Sequence, residues 1–128
     1  MPVLRAGLLA AAVAAGPAAR AQFTVPTDVG KPDGASVFLN QCGTCHSLDP
    51  NEQRQGPTLK GVYGRRAGSV AGFSYSAGFA KADFTWDETR LNAWLTNPPS
   101  VIPGAVMPYR QPDAEIRETI IAYLKEQH

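Results

Sequence analysis

The sequence predicts an all-α domain, and three observations predict it. Apolar residues recur at helical spacing in a segment that begins at Gly34, in another that follows Asp113, and over a shorter run from Asp87 to Thr96. The long stretch between His46 and Trp86 is rich in Gly and polar residues and shows little periodicity. At the end of the first helical segment stands Cys42-Gly43-Thr44-Cys45-His46, and Cys-x-x-Cys-His is the attachment signature of c-type haem. With 128 residues, a formal net charge of +1 and 44% hydrophobic residues, the chain is bounded to one small globular domain with no nucleic-acid footprint.

In chain order, residues 1–21 read as a cleavable secretory signal peptide. Arg5 supplies a positive start, Ala6 to Ala15 an apolar core too short to span a bilayer, and Ala19-Arg20-Ala21 a small-x-small cleavage site. An uncleaved anchor is the competing reading, although Gly16-Pro17 interrupts the apolar run. Two of the 12 Lys and Arg, Arg5 and Arg20, fall in the leader, so against 11 Asp and Glu the remaining chain is slightly acidic. Residues 22–33, with Pro26, Gly30 and Pro32, form an irregular lead-in, and residues 34–128 the folded domain.

From Gly34, the spacing of Val37, Phe38, Gln41 and Cys42 puts the apolar face and the first cysteine on one side of a helix that ends near the motif. The second helix, Asp87 to Thr96, is stopped by Asn97-Pro98-Pro99, because a residue before proline is biased out of the helical region. In the last, Asp113 can cap the N-terminus, and Ile116, Ile120, Tyr123 and Leu124 recur along one face. Two amphipathic ends suggest two helices packed on each other. A stretch as long and irregular as that between His46 and Trp86 is uncommon in a compact domain. A large apolar cofactor resolves the difficulty, since loops can wrap it and use it as their core.

The motif's spacing has a chemical reason. On one helical turn, thiols at Cys42 and Cys45 can each add to a vinyl group on the same edge of a porphyrin, while His46 aims its imidazole at the iron. A redox-active Cys42–Cys45 pair would need a βαβ context that the flanks do not supply. A structural zinc site wants about four ligands, and the chain offers two Cys and two His, one of them His128. Free thiols in a chance motif remain open on these five residues alone.

The wider pattern carries a resemblance. Gly34-x-x-x-Phe38, the haem motif, Gly56-Pro57-x-Leu59-x-Gly61-x-Tyr63-Gly64-Arg65, Gly72-Phe73-x-Tyr75, Thr85-Trp86, Leu95-Thr96-Asn97-Pro98, Ile102-Pro103-Gly104-x-x-Met107 and Ile121-Ala122-Tyr123-Leu124-Lys125 follow in order. In them the domain resembles the class I c-type cytochromes, of the mitochondrial cytochrome c and bacterial cytochrome c2 type. The resemblance implies a cytochrome c fold, with N- and C-terminal helices packed together and shorter helices and loops around one covalent haem c and its iron. His46 and Met107 are the implied metal ligands, and Cys42 and Cys45 the thioether attachments. It also implies that the Pro57 carbonyl accepts from the Nδ1–H of His46, and that Arg65, Tyr75 and Trp86 face a buried haem propionate.

Without the leader, Met107 is the one methionine that remains, and thioether sulfur is a known sixth ligand to haem iron. Gap filling in a core is the ordinary use of a lone methionine, and His128 is the other axial alternative. Three positions depart from the relatives' pattern: Trp94 stands where many have a Tyr that reaches the ligand Met, Ala105 where a Thr often contacts a propionate, and Phe79 where mitochondrial proteins have Asn.

The implied function is that of a soluble one-electron carrier in a respiratory or dehydrogenase chain, exported to the periplasm and not an enzyme. An open-site peroxidase or gas sensor would want five-coordinate iron and polar distal groups, and a haem subunit of a larger dehydrogenase would look the same in sequence. The expected partners are oxidases, reductases or dehydrogenases that dock transiently at the haem edge of a monomer, with no nucleic acid and no stable membrane insertion after signal cleavage. Where mitochondrial relatives carry lysines around that edge, this chain has Ser36, Gln41, Gly43, Thr44, Pro99, Ser100, Val106 and Asp113, with Arg110 the one nearby base. A docking face of little net charge is therefore expected.

Overall fold

Phe38 and Tyr123 lie far apart in sequence, yet their rings meet with centroids 5.6 Å apart, where the first helix crosses the last. The computed structural model describes residues 30–128 and, before them, only Gly7, Ala11, Ala12 and Gly16. Apart from those four residues, the predicted signal peptide, 1–21, and most of the lead-in lie outside the described residues. Four helices follow in order: α1 (Gly34–Gln41), α2 (Glu88–Thr96), α3 (Pro98–Val101) and α4 (Ala114–Lys125), with one 3-10 turn at Ala77–Lys81. Among the described residues there is no strand, and a single isolated bridge pairs Arg66 with Thr85. The fold class is all-α, as the periodicity predicts.

Each long helix starts on an aspartate. Asp33 accepts from the Ser36 N–H at 3.0 Å, Asp87 from the Arg90 N–H at 2.8 Å, and Asp113 from the N–H groups of Glu115 and Ile116 at 2.9 and 3.3 Å. Each thereby satisfies donors that a helix N-terminus leaves unpaired. α1 packs on α4, and α2 packs on both α3 and α4. The first crossing is close because residue 34 is glycine: a Cβ there would stand 2.9 Å from that of Tyr123. The core beneath joins Val37, Phe38 and Cys42 of the first helical segment to Leu91 and Leu95 of α2 and to Ile120, Ile121 and Leu124 of α4.

Asn97 ends α2 in an extended conformation, φ −162° and ψ 94°. The two prolines that close α2 also open α3, which the sequence reading lacks. Proline suits a first helical position, where its missing N–H costs no hydrogen bond. The 3-10 turn at Ala77–Lys81 is also absent from that reading, and five residues are too few to show a period. It places Gly78 where a Cβ would strike the Pro103 carbonyl, so this turn packs tightly on the loop that carries Met107. None of the described helices is long and apolar enough to cross a membrane.

Candidate haem site

The end of α1 presents the motif. Cys42 caps the helix, its N–H donating to the Phe38 carbonyl, and its own carbonyl accepts from the N–H groups of Cys45 and His46 at 3.1 and 2.9 Å. That one turn gathers both thiols and the imidazole. Neither cysteine is in a disulfide; Cys42 is buried and Cys45 half-buried, its thiol 3.3 Å from Gln55 Oε1. Burial, with a smaller contribution from Cys45, pushes the Cys42 thiol up to about 11. No group of three or more His, Cys, Asp or Glu is placed to hold a metal among the described residues.

His46 is held by its other nitrogen. Nδ1 lies 2.7 Å from the Pro57 carbonyl, the pairing that the resemblance implies. A carbonyl only accepts, so Nδ1 carries the hydrogen and Nε2 keeps its lone pair. Burial is the largest influence on the ring and lowers its proton affinity; the Pro57 carbonyl works the other way, and the Arg65 charge lowers it again. The balance lowers the pKa of the imidazole and so favours its neutral form, the form that binds a metal. Gly56 makes the approach possible. A Cβ at that position would fall on the His46 ring, and the Gly56 N–H donates to the Cys45 carbonyl at 2.8 Å.

Arg65 and Trp86 are brought together by the backbone. The Trp86 N–H donates to the Arg65 carbonyl at 2.9 Å, and the Gly64 N–H to the Trp86 carbonyl at 2.7 Å. Trp86 is buried. The Arg65 guanidinium donates to the carbonyls of Thr58 and Lys60 at 3.0 and 3.1 Å, which fixes it beneath the loop that leads from Pro57. Tyr75 accepts from the Val70 N–H at 3.1 Å.

An aromatic chain continues from Tyr75 to Phe79 (4.8 Å between centroids), Trp94 (5.8 Å) and Trp86 (5.2 Å). Phe79 and Trp94, two of the departures from the relatives' pattern, are thus members of one continuous apolar wall. Ser76, next to Tyr75, was missed by sequence reasoning. Its hydroxyl is buried without a hydrogen-bond partner, and such a group costs stability unless something completes it. Only its place beside Tyr75 in the motif could have drawn attention to it.

Met107 is half-buried on the loop between α3 and α4, where Gly104 takes φ 81° to turn the chain and Val106 stands 81% exposed. His128 is exposed. These residues fit a haem: two unpaired thiols and an imidazole held through Nδ1 share a turn, with an orphaned hydroxyl at Ser76 and a hydrogen-bonded guanidinium at Arg65. The arrangement defines a class, proteins that hold haem covalently through Cys-x-x-Cys-His.

Comparison with known proteins gives the family. The Cytochrome c family profile matches residues 32–127. The chain is 44% identical over 93 residues to cytochrome c2 iso-2 of Magnetospirillum fulvum, covering 71% of this chain and 96% of that one. Cytochrome c2 iso-2 of Magnetospirillum molischianum is 41% identical over 94 residues, at 71% and 95% coverage. Cytochrome c of Nigella damascena is 37% identical over 97 residues, at 73% and 86% coverage. The chain belongs to the cytochrome c family. Members of this family bind haem c with its iron and carry electrons between transient redox partners.

Proposed function

We propose that the protein is a soluble one-electron carrier of a respiratory or dehydrogenase chain, without enzymatic activity, in which His46 and Met107 are the two axial ligands of the haem iron. Cys42 and Cys45 form the thioether links, and the carrier domain is residues 34–128, preceded by a lead-in (22–33) and a cleavable leader (1–21). The observation that carries the reading is the His46 imidazole, its Nδ1 2.7 Å from the Pro57 carbonyl, directly after two unpaired thiols. Haem c supplies a one-electron Fe(III)/Fe(II) couple. The chain's part is restraint. Pro57 orients the imidazole and strengthens it as a donor. Two strong protein ligands leave no position for oxygen or peroxide, and thioether ligation favours the reduced iron.

Arg65, Tyr75, Trp86 and, on its unpaired hydroxyl, Ser76 are the groups we assign to the haem carboxylates, since a buried carboxylate must be paired and hydrogen-bonded. The aromatic wall excludes water on the Trp94 side. A leader-directed, periplasmic, monomeric protein follows from the same reading.

Met107→Ala tests the ligation. The wild type should resist carbon monoxide and show the weak red band of Met-bound ferric iron, and the variant should bind the gas and lose the band. Identical spectra would exclude Met107.

The docking face is proposed to be nearly uncharged. Arg54, the base that approaches the motif, donates to the Gly43 carbonyl while paired with Glu52 at 3.0 Å. Arg66 is paired with Asp83 at 3.0 Å, which leaves Lys60, in none of the ion pairs among the described residues, as the base of the three that would have to rebuild a positive rim. Val106 and Leu39, 81% and 68% exposed, supply apolar contact. Electron transfer to a partner oxidase should then fall little with ionic strength; a steep fall would rule this face out.

A further inference from the structure

The Met107 loop is tied across the molecule by side chains that the proposed function does not use. Its own backbone gives little hold: Pro103 and Pro108 have no N–H, and among the described residues no N–H from Val106 to Arg110 donates to another backbone group. The loop is anchored instead through Tyr109. Its hydroxyl donates at 2.9 Å to Oε1 of Gln41, the last residue of α1 and the immediate neighbour of Cys42. The same hydroxyl accepts from Gln111 Nε2 at 3.1 Å. Gln111 is buried, its Oε1 accepts from the Asp113 N–H at 2.9 Å, and its own N–H donates to the Leu95 carbonyl at 2.7 Å. One hydroxyl thus joins the haem-attachment helix, the Met107 loop, the end of α2 and the cap of α4.

We infer that Tyr109 is a positioning residue: with Gln41 and Gln111 it forms a latch that holds the Met107 loop against α1 and sets how often the loop opens to outside ligands. The inference rests on Met107 being an iron ligand. A loop with two prolines and a glycine turn keeps its conformation cheaply but has no ladder to hold its position. A half-buried hydroxyl that both donates and accepts supplies that position: one partner, Gln41, ends α1, and the other, Gln111, is itself held by the Leu95 carbonyl at the end of α2 and by the N–H of Asp113, the cap of α4. Loss of one neutral hydrogen bond changes an opening equilibrium by about two- to twelvefold.

The test uses the ferric holoprotein and imidazole. At saturating imidazole the binding rate reports loop opening, and the weak red band reports Met ligation. Tyr109→Phe keeps the ring and removes the hydroxyl; Gln41→Leu removes its acceptor; Gln41→Glu keeps an acceptor in place. The first two should each raise the limiting rate about two- to twelvefold, the pair together should do no more than Tyr109→Phe alone, and Gln41→Glu should stay near wild type. Such non-additivity marks one shared interaction. A wild type that shows the red band, with variants whose rates are unchanged or whose effects add as independent sites, would overturn the latch alone. A wild type without the band would overturn Met107 ligation, and the latch with it.

Discussion

The α1–α4 crossing is packed side chain on side chain, whereas the stretch from Gly43 to Thr85 is held mostly by backbone turns. At the crossing Ile120 is fully shielded from solvent, Phe38 is 3% exposed, and Gly34 presses against Tyr123. In the long stretch only Ser47, Thr58, Val62 and Ala67 are buried, and Gly61, Gly64, Gly68 and Gly72 all take positive φ. The crossing makes its own core. The stretch buries too little of itself to offset the entropy of ordering its loops, and in a family that binds haem c covalently the ring supplies the missing apolar surface. Substitutions in the two regions should therefore fail differently: those in the stretch that strike the His46 turn should disturb the iron, and those at the crossing should cost stability alone.

Gly56→Ala should have the largest effect. Its Cβ would collide with the His46 ring, so the account expects poor haem incorporation or an altered ferric spectrum. Gly64→Ala, in the same stretch, is a contrast: residue 64 has φ 85° but open space around it. It should cost about 1 kcal/mol of backbone strain and leave the spectrum as in wild type. If both variants behave alike, contact with the imidazole is not what Gly56 provides.

Ile120→Ala comes next. Removing a fully buried side chain costs about 2–5 kcal/mol, which thermal or denaturant unfolding will show, while the visible spectrum of the folded protein should be unchanged. A shifted red band at intact stability would break the comparison.

The division also explains what the sequence revealed. α1, α2 and α4 were legible because each has an apolar face at helical spacing and an aspartate to start it. α3 was not, since Pro98-Pro99 carries both a stop and a start and four residues show no period. The haem turn was legible as local chemistry, and Pro57 through the resemblance to a known family. The two places where Arg65 donates, Thr58 and Lys60, are backbone carbonyls, which every residue has and no sequence pattern marks. Ser76 and the Tyr109–Gln41 bond were hidden for a related reason: burial of a hydroxyl, or a contact between residues 68 apart in sequence, is decided by packing alone.

Native-state hydrogen exchange of the holoprotein in low denaturant tests the central claim most directly, because it reads the local opening free energy of each segment. The account predicts that amides of α4 at Ile120, Ile121 and Leu124 exchange only with global unfolding. The Ala67 N–H, bonded to the Phe84 carbonyl at 2.9 Å, should exchange at least about tenfold faster, through openings of the haem-dependent stretch. Equal protection in the two regions, or an α4 that opens before the stretch, would contradict it.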